Sequence, residues 1–114
     1  MSQNDADRKT KIRKLNDAFR KTFLGGRVLI TPGIQALPEE VRESLLTEVR
    51  LFDNFNEKND TYREHDFGAI EHENYKVFWK IDYYHKNNPN DGSEDASDPG
   101  QTDRVMTVML SHEY

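Results

Sequence analysis

Apolar residues recur at three- and four-residue steps in two stretches of the chain and at two-residue steps in others. The first period predicts helices and the second strands. From about Arg8, the residues Ile12, Leu15, Phe19 and Phe23 share one helical face. Gly25-Gly26 closes this helix, because glycine accepts the left-handed conformation that ends one, and Lys21 suits the negative dipole end. Arg27 to Thr31 reads as a short strand, and Thr31-Pro32-Gly33-Ile34 as a type II turn. Pro38-Glu39-Glu40 opens a second helix with Val41, Leu45, Val49 and Phe52 as its stripe, ending near Asp53-Asn54.

Residues 54–64 are polar and read as a loop. Asp66 to Glu73 is a strand, Glu73-Asn74 a hairpin turn, and Tyr75 to Tyr84 the strongest strand in the chain. Val77, Trp79, Ile81 and Tyr83 line one face of it, and Lys76, Phe78, Lys80, Asp82 and Tyr84 the other. Residues 85–102 read as a mobile acidic loop, and Arg104 to Ser111 as the last strand. The order is α-β-α-β-β-β. It predicts an α+β domain over 8–114, with two helices packed on one face of a four-stranded, mainly antiparallel sheet, after a disordered 1–7. The aromatic strand is central, Trp79 and Phe67 anchor the sheet against the helices, and Asp82 pairs across strands with Arg104.

Composition narrows the picture. The chain has 114 residues, enough for one domain. It has no cysteine, which excludes a disulfide-stapled fold, thiolate metal sites and a cysteine nucleophile. The polar start lacks a signal-peptide h-region, and no apolar run reaches the roughly 20 residues of a membrane span. A cytoplasmic location without membrane contact is therefore expected. The net charge of −5 is uneven: residues 1–27 hold eight Lys/Arg and three acids, the remainder eight Lys/Arg and eighteen acids. A basic head sits on an acidic body.

Six phrases stand out: Leu15-Asn16-Asp17-Ala18-Phe19-Arg20, Gly25-Gly26-Arg27-Val28, Leu37-Pro38-Glu39-Glu40-Val41, Glu64-His65-Asp66-Phe67-Gly68, Phe78 to Tyr84, and Arg104 to Leu110. Together, over about residues 12–114, they resemble an uncharacterised family of short, mainly alphaproteobacterial proteins. The resemblance implies a mobile-element setting, on plasmids and integrated elements near plasmid-maintenance and anti-restriction genes. It brings no activity, cofactor or catalytic residue.

Candidate chemistry is sparse. Glu64-His65-Asp66 is the densest titratable cluster, but neighbours in an extended segment point to opposite faces and converge only through a turn. The four histidines lack helical i, i+4 pairing, and the acidic loop around Gly92 lacks the ligands of a calcium loop, so no metal is expected. No phosphate loop or nucleophile elbow is present, and no cofactor is expected.

Three readings follow. The first is a non-catalytic protein-binding module, an acidic inhibitor of a host defence or DNA-processing enzyme of the anti-restriction or anti-CRISPR type, binding an unidentified protein partner. It would use Asp53, Glu57, Asp60, Glu64, Asp66, Asp91, Glu94, Asp95 and Asp98 in place of DNA phosphates. The second is a nucleic-acid accessory protein that binds through Arg8, Lys9, Lys11, Arg13, Lys14, Arg20 and Lys21 on the outer surface of the first helix. The third is an enzyme using His65, Asp66, Asp82 and His112.

Overall fold

The computed structural model describes residues 3–114. Helix α1 spans Gln3–Thr22, so it begins before the expected Arg8; Met1 and Ser2 lie outside the described residues. Its end differs in detail from the glycine stop. Phe23 takes the left-handed conformation, φ 60°, and its N–H reaches back to the Phe19 carbonyl at 2.7 Å. Strand β1 (Arg27–Ile30) follows, then a four-residue helix α2 (Pro32–Gln35), helix α3 (Glu39–Leu51), and strands β2 (Phe67–His72), β3 (Tyr75–His85), β4 (Asn88–Gly92) and β5 (Thr102–Leu110), with a final 3-10 turn, Ser111–Glu113.

The predicted type II turn is α2 instead. Gly33 has no positive φ, and it is glycine for lack of room: a Cβ there would come 2.5 Å from the Glu113 carboxylate. That carboxylate accepts the Thr31 hydroxyl at 2.6 Å, the Gly33 N–H at 2.9 Å and the Leu110 N–H at 2.9 Å. One side chain thus ties β1, α2 and the end of β5 together, and the Thr31 bond foremost holds it below the usual carboxylate range.

The α+β class holds, with a larger sheet than expected. Five strands form a mixed sheet in the order β1-β5-β3-β2; β1 runs parallel to β5, and the other pairs are antiparallel. The extra strand, β4, comes from the segment expected to be a loop. It pairs with the end of β3 at Tyr84 and His85. Since β5 occupies the other edge there, β4 takes the same edge of β3 that β2 takes from Tyr75 to Lys80.

Both long helices lie on one face of the sheet. The core joins Phe19 of α1 and Leu45 and Val49 of α3 to Val77, Trp79 and Ile81 of β3 and Met106 and Val108 of β5. Trp79 is fully buried with its ring edge-on to Phe52 and Phe55. It lies so close to β2 that a Cβ on Gly68 would come 2.3 Å from its Nε1, so glycine is required opposite it. Phe67 does not anchor this core. It pairs in register with Lys80, which places it on the opposite face, against Phe78 and Tyr114. The expected Asp82–Arg104 pair is also absent: Arg104 lies opposite Tyr83 on the helix side, and Asp82 pairs with Lys80 at 3.0 Å on the outer side. Among the described residues, no helix is long and apolar enough to cross a membrane.

Candidate functional site

The inner stripe of α1 is not wholly apolar. Asn16 and Arg20 follow Ile12 at four-residue steps and are as buried as Phe19. Polar groups inside a domain need partners; Asn16 finds them on three other segments, whereas Arg20 bonds within α1 to Asp17 and leaves its Nε without a partner among the described residues. Asn16 donates through Nδ2 to the Glu64 carbonyl at 3.0 Å and the Tyr83 hydroxyl at 2.8 Å. Its Oδ1 accepts Arg104 Nε at 2.9 Å, and Arg104 also donates to the Ala96 carbonyl. The Tyr83 hydroxyl donates to the Glu64 carboxylate at 2.7 Å; burial and that carboxylate push the phenol well above its usual value. Burial lowers the Arg104 guanidinium.

A second set of bonds centres on His65. Its Nδ1 lies 2.8 Å from Asp17 Oδ1, and its Nε2 lies 3.4 Å from Asp60 Oδ2. Its backbone N–H donates to Asp60 Oδ1 at 3.0 Å. Its ring stacks on Phe55, with centroids 3.7 Å apart and planes 4° from parallel. Asp17 also receives Arg20 Nη1 at 2.9 Å, and the Arg20 guanidinium sits 5.2 Å from the Phe55 centroid and 5.4 Å from that of Trp79. The convergence rests on backbone turns. Arg63 and His65 both have positive φ, 57° and 56°, a conformation costly for residues with a Cβ. These turns bring His65 inward between Asp17 and Asp60.

The same turns build a groove between α1 and the 54–65 segment. Its inner part, about 280 Å³, is lined by Arg13, Phe55, Asn56, Glu57, Asp60, Arg63 and His65. An adjoining part of about 380 Å³ is bounded by Lys9 and Thr10 of α1 and by Thr61 and Tyr62. Arg13 and Arg63 border both parts. Neither guanidinium has a hydrogen bond or ion pair among the described residues. Tyr62 is 68% exposed, with Lys9 Nζ 5.9 Å from its ring centroid. Two free guanidinium groups beside an exposed ring suit a phosphate-bearing, stackable ligand.

The basic helix divides by position. Arg8 pairs with Asp95 at 3.8 Å, and Lys11 is exposed with its charge near Asp95 and Asp98. Lys9 and Arg13 face the groove, while Lys14 and Lys21 are exposed. Arg20 is a correction: it is 1% exposed and belongs to the core, not to the outer surface.

The acids divide as well. Asp60 is buried against His65 rather than displayed on a surface. Glu64 is engaged by Tyr83. Asp66 is half-buried, and burial first, then the neighbouring Glu64, push its carboxyl up to about 6. Asp95 and Asp98 cap turns through Ser97 and through Gly100 and Gln101. Asp53, Glu57, Asp91 and Glu94 are exposed.

Of the enzyme set, His65 and Asp66 adjoin. Asp82 is on the outer face, and His112 is in the 3-10 turn beyond Leu110, which pairs with Val77 at the far end of β3 from Tyr83. Among the described residues, no three His, Asp or Glu side chains are grouped to hold a metal ion.

Asn16, Asp17, Phe55 and Arg104 are site residues that reading for motifs misses. The signal was present for two of them. Asn16 lies in the apolar stripe of α1, and Arg104 is in phase with Met106 and Val108 on the inner face of β5.

Neither a curated protein nor a solved structure matches the chain. A family model does match, over residues 30–113, which takes in the 54–65 wall of the groove, β2 to β5 and Glu113, and leaves out α1. The chain belongs to the family described as protein of unknown function, DUF3768.

Proposed function

We propose that this protein is a nucleic-acid accessory protein that holds a short stretch of single strand in the groove between α1 and the 54–65 segment. The observation that carries this reading is the pair Arg13 and Arg63, both without partners among the described residues and both bordering the two parts of the groove. A guanidinium left free beside a concavity is suited to bidentate phosphate contact. Tyr62 offers a ring face for a base, as in single-strand binders that combine cationic grooves with stacking. The acidic body limits the footprint, because phosphates running far beyond the groove meet like charge. The mobile-element setting implied by the sequence phrases fits a protein that handles DNA or RNA.

The competing reading, an acidic module that occupies the basic groove of a host defence or DNA-processing enzyme, depends on free carboxylates. Asp53, Glu57, Asp91 and Glu94 remain exposed for it, whereas Asp60 and Glu64 are engaged internally.

The test is fluorescence anisotropy with short single-stranded oligonucleotides across a salt series. Binding is expected to weaken steeply with salt. The Arg13→Ala/Arg63→Ala double variant is expected to lose at least about tenfold in affinity and about 1.4 units of log–log salt slope, about 0.7 for each phosphate contact to a single strand, with an unchanged melting temperature. No binding at low salt, or equal affinity and slope in the double variant, overturns the reading. In that case, binding of a basic protein surface that depends on Asp53, Glu57, Asp91 and Glu94 would favour the acidic module.

A further inference from the structure

The sheet has an open edge, and we infer that a second copy of this chain docks there, β2 against β2, continuing the sheet across a two-fold axis at Ala69. The hydrogen-bond parity of β2 is fixed by its partner. The Asp66 carbonyl accepts the Ile81 N–H at 2.8 Å, and Phe67 is in register with Lys80. Residues 66, 68, 70 and 72 therefore bond to β3, and the two-residue turn at Glu73-Asn74 imposes the same parity. The N–H and C=O groups of Phe67, Ala69 and Glu71 point away from the sheet, and none has a hydrogen bond among the described residues.

Edge strands in natural domains are usually guarded by proline, lysine, a bulge or a covering segment. The other edges here are guarded: β1 is four residues long and is followed, after Thr31, by Pro32, and β4 carries Pro89 and Asp91. Along Phe67, Ala69 and Glu71 there is only the single acid.

An antiparallel pair centred on Ala69 sets Ala69 against its own copy and Phe67 against Glu71 of the second copy, with about six main-chain hydrogen bonds. The side chains fit that register. The smallest side chain of the three lies on the axis, so the two copies meet there without a bulky side chain between them. A cavity of about 340 Å³, lined by Ala69, Ile70, Glu71, Lys76 and Phe78, lies beside the edge. In this register Phe67 of the second copy is opposite Glu71, and its ring, packed on Phe78 and Tyr114 of its own chain, borders that cavity. Glu71 keeps Lys76 as its cross-strand neighbour, so no like charges are brought together on the axis. The register thus offers hydrogen bonds, an apolar contact and charge balance at once, and it is independent of the nucleic-acid groove.

Sedimentation velocity on the full chain, from micromolar to near-millimolar concentration, tests the inference. A reversible monomer–dimer equilibrium is expected. Ala69→Lys sets two like charges on the axis and is expected to weaken the dimer at least about tenfold. Ala69→Pro removes the axial N–H at a position where an edge strand accepts proline, and is expected to do the same. Circular dichroism and melting temperature report whether each variant stays folded; if the proline variant unfolds, the lysine variant decides. A chain that is monomeric throughout, or a dimer that the folded variants leave unchanged, overturns the inference. The monomeric outcome leaves the edge to an extended segment of another protein.

Discussion

The inner face of the sheet is covered by two helices that hold it in opposite ways. Under α3 the buried contacts are apolar, with Leu45 and Val49 joining the core built on Val77, Trp79 and Val108, and a polar contact, His72 Nδ1 to Glu48 Oε1 at 3.2 Å, lies where α3 meets β2. Under α1 the buried set includes Asn16 and Arg20, and β3 and β5 answer with Tyr83 and Arg104. Apolar contact is non-directional and roughly proportional to area, so a helix held that way tolerates small shifts. A hydrogen-bond network does not, since every buried polar group that loses its partner costs about 1–3 kcal/mol. The α3 half supplies adhesion, and the α1 half supplies position. Position matters where α1 and the 54–65 segment form the two walls of the groove.

The comparison makes its largest prediction at Trp79, on the apolar side. Trp79→Ala empties a site closed by Phe52, Phe55 and the Arg20 guanidinium. A loss of about 3–5 kcal/mol is expected in urea unfolding. A loss below about 1 kcal/mol would mean that this half is loosely packed and that the contrast between the two helices is false.

The polar side makes the next prediction, and a sharper one. Arg104→Ala leaves Asn16 Oδ1 and the Ala96 carbonyl without their donor, and a loss of about 2–3 kcal/mol is expected. Adding Asn16→Leu to Arg104→Met removes the orphaned Oδ1 acceptor but leaves the Ala96 and Glu64 carbonyls without donors, so a loss of about 2–3 kcal/mol is expected to remain in a folded protein. If the network supplies position, the double variant stays folded and still loses affinity in the groove, since α1 is no longer tied to Tyr83 and the Glu64 carbonyl. A folded double variant with full oligonucleotide affinity would show that the polar layer has no positioning role.

The same contrast explains what the sequence could and could not disclose. The α3 half was legible: its stripe, the Trp79 strand and the face assignments of β3 follow from periodicity alone, because apolar burial is written in spacing. Phe67 looks like a core anchor by composition, but parity puts it on the outer face. Gly68, next in the chain, is the residue opposite Trp79, and the strand alternates. The 85–102 segment has the composition of a loop, yet it contributes β4, because main-chain pairing with Tyr84 and His85 needs no apolar side chain. The site was least legible. His65 meets Asp17 only because Arg63 and His65 adopt left-handed backbone, which no residue-type preference announces. Arg20 shows the limit of reading charge as surface: a guanidinium between two aromatic rings and a carboxylate is stable inside.

Asp66 carries the smallest prediction, at the boundary between the two halves. Its carboxyl titrates near 6 in the folded protein, mainly because burial disfavours the charged form and then because Glu64 repels it. The unfolded value is about 3.9. Between these values the folded state binds more protons than the unfolded one, so folding stability falls as pH rises through that window and levels off above about 6. Asp66→Asn cannot ionise and lacks this loss. The variant is expected to equal the parent near pH 4. At pH 7.5 it is expected to exceed the parent by about 1 kcal/mol, a figure trimmed from the full shift because the group is partly solvated. Urea titrations of parent and variant at both pH values measure the difference. A gap that is the same at both would mean that the carboxylate is neither buried nor repelled, and that the polar half of the core is wetter than its geometry implies.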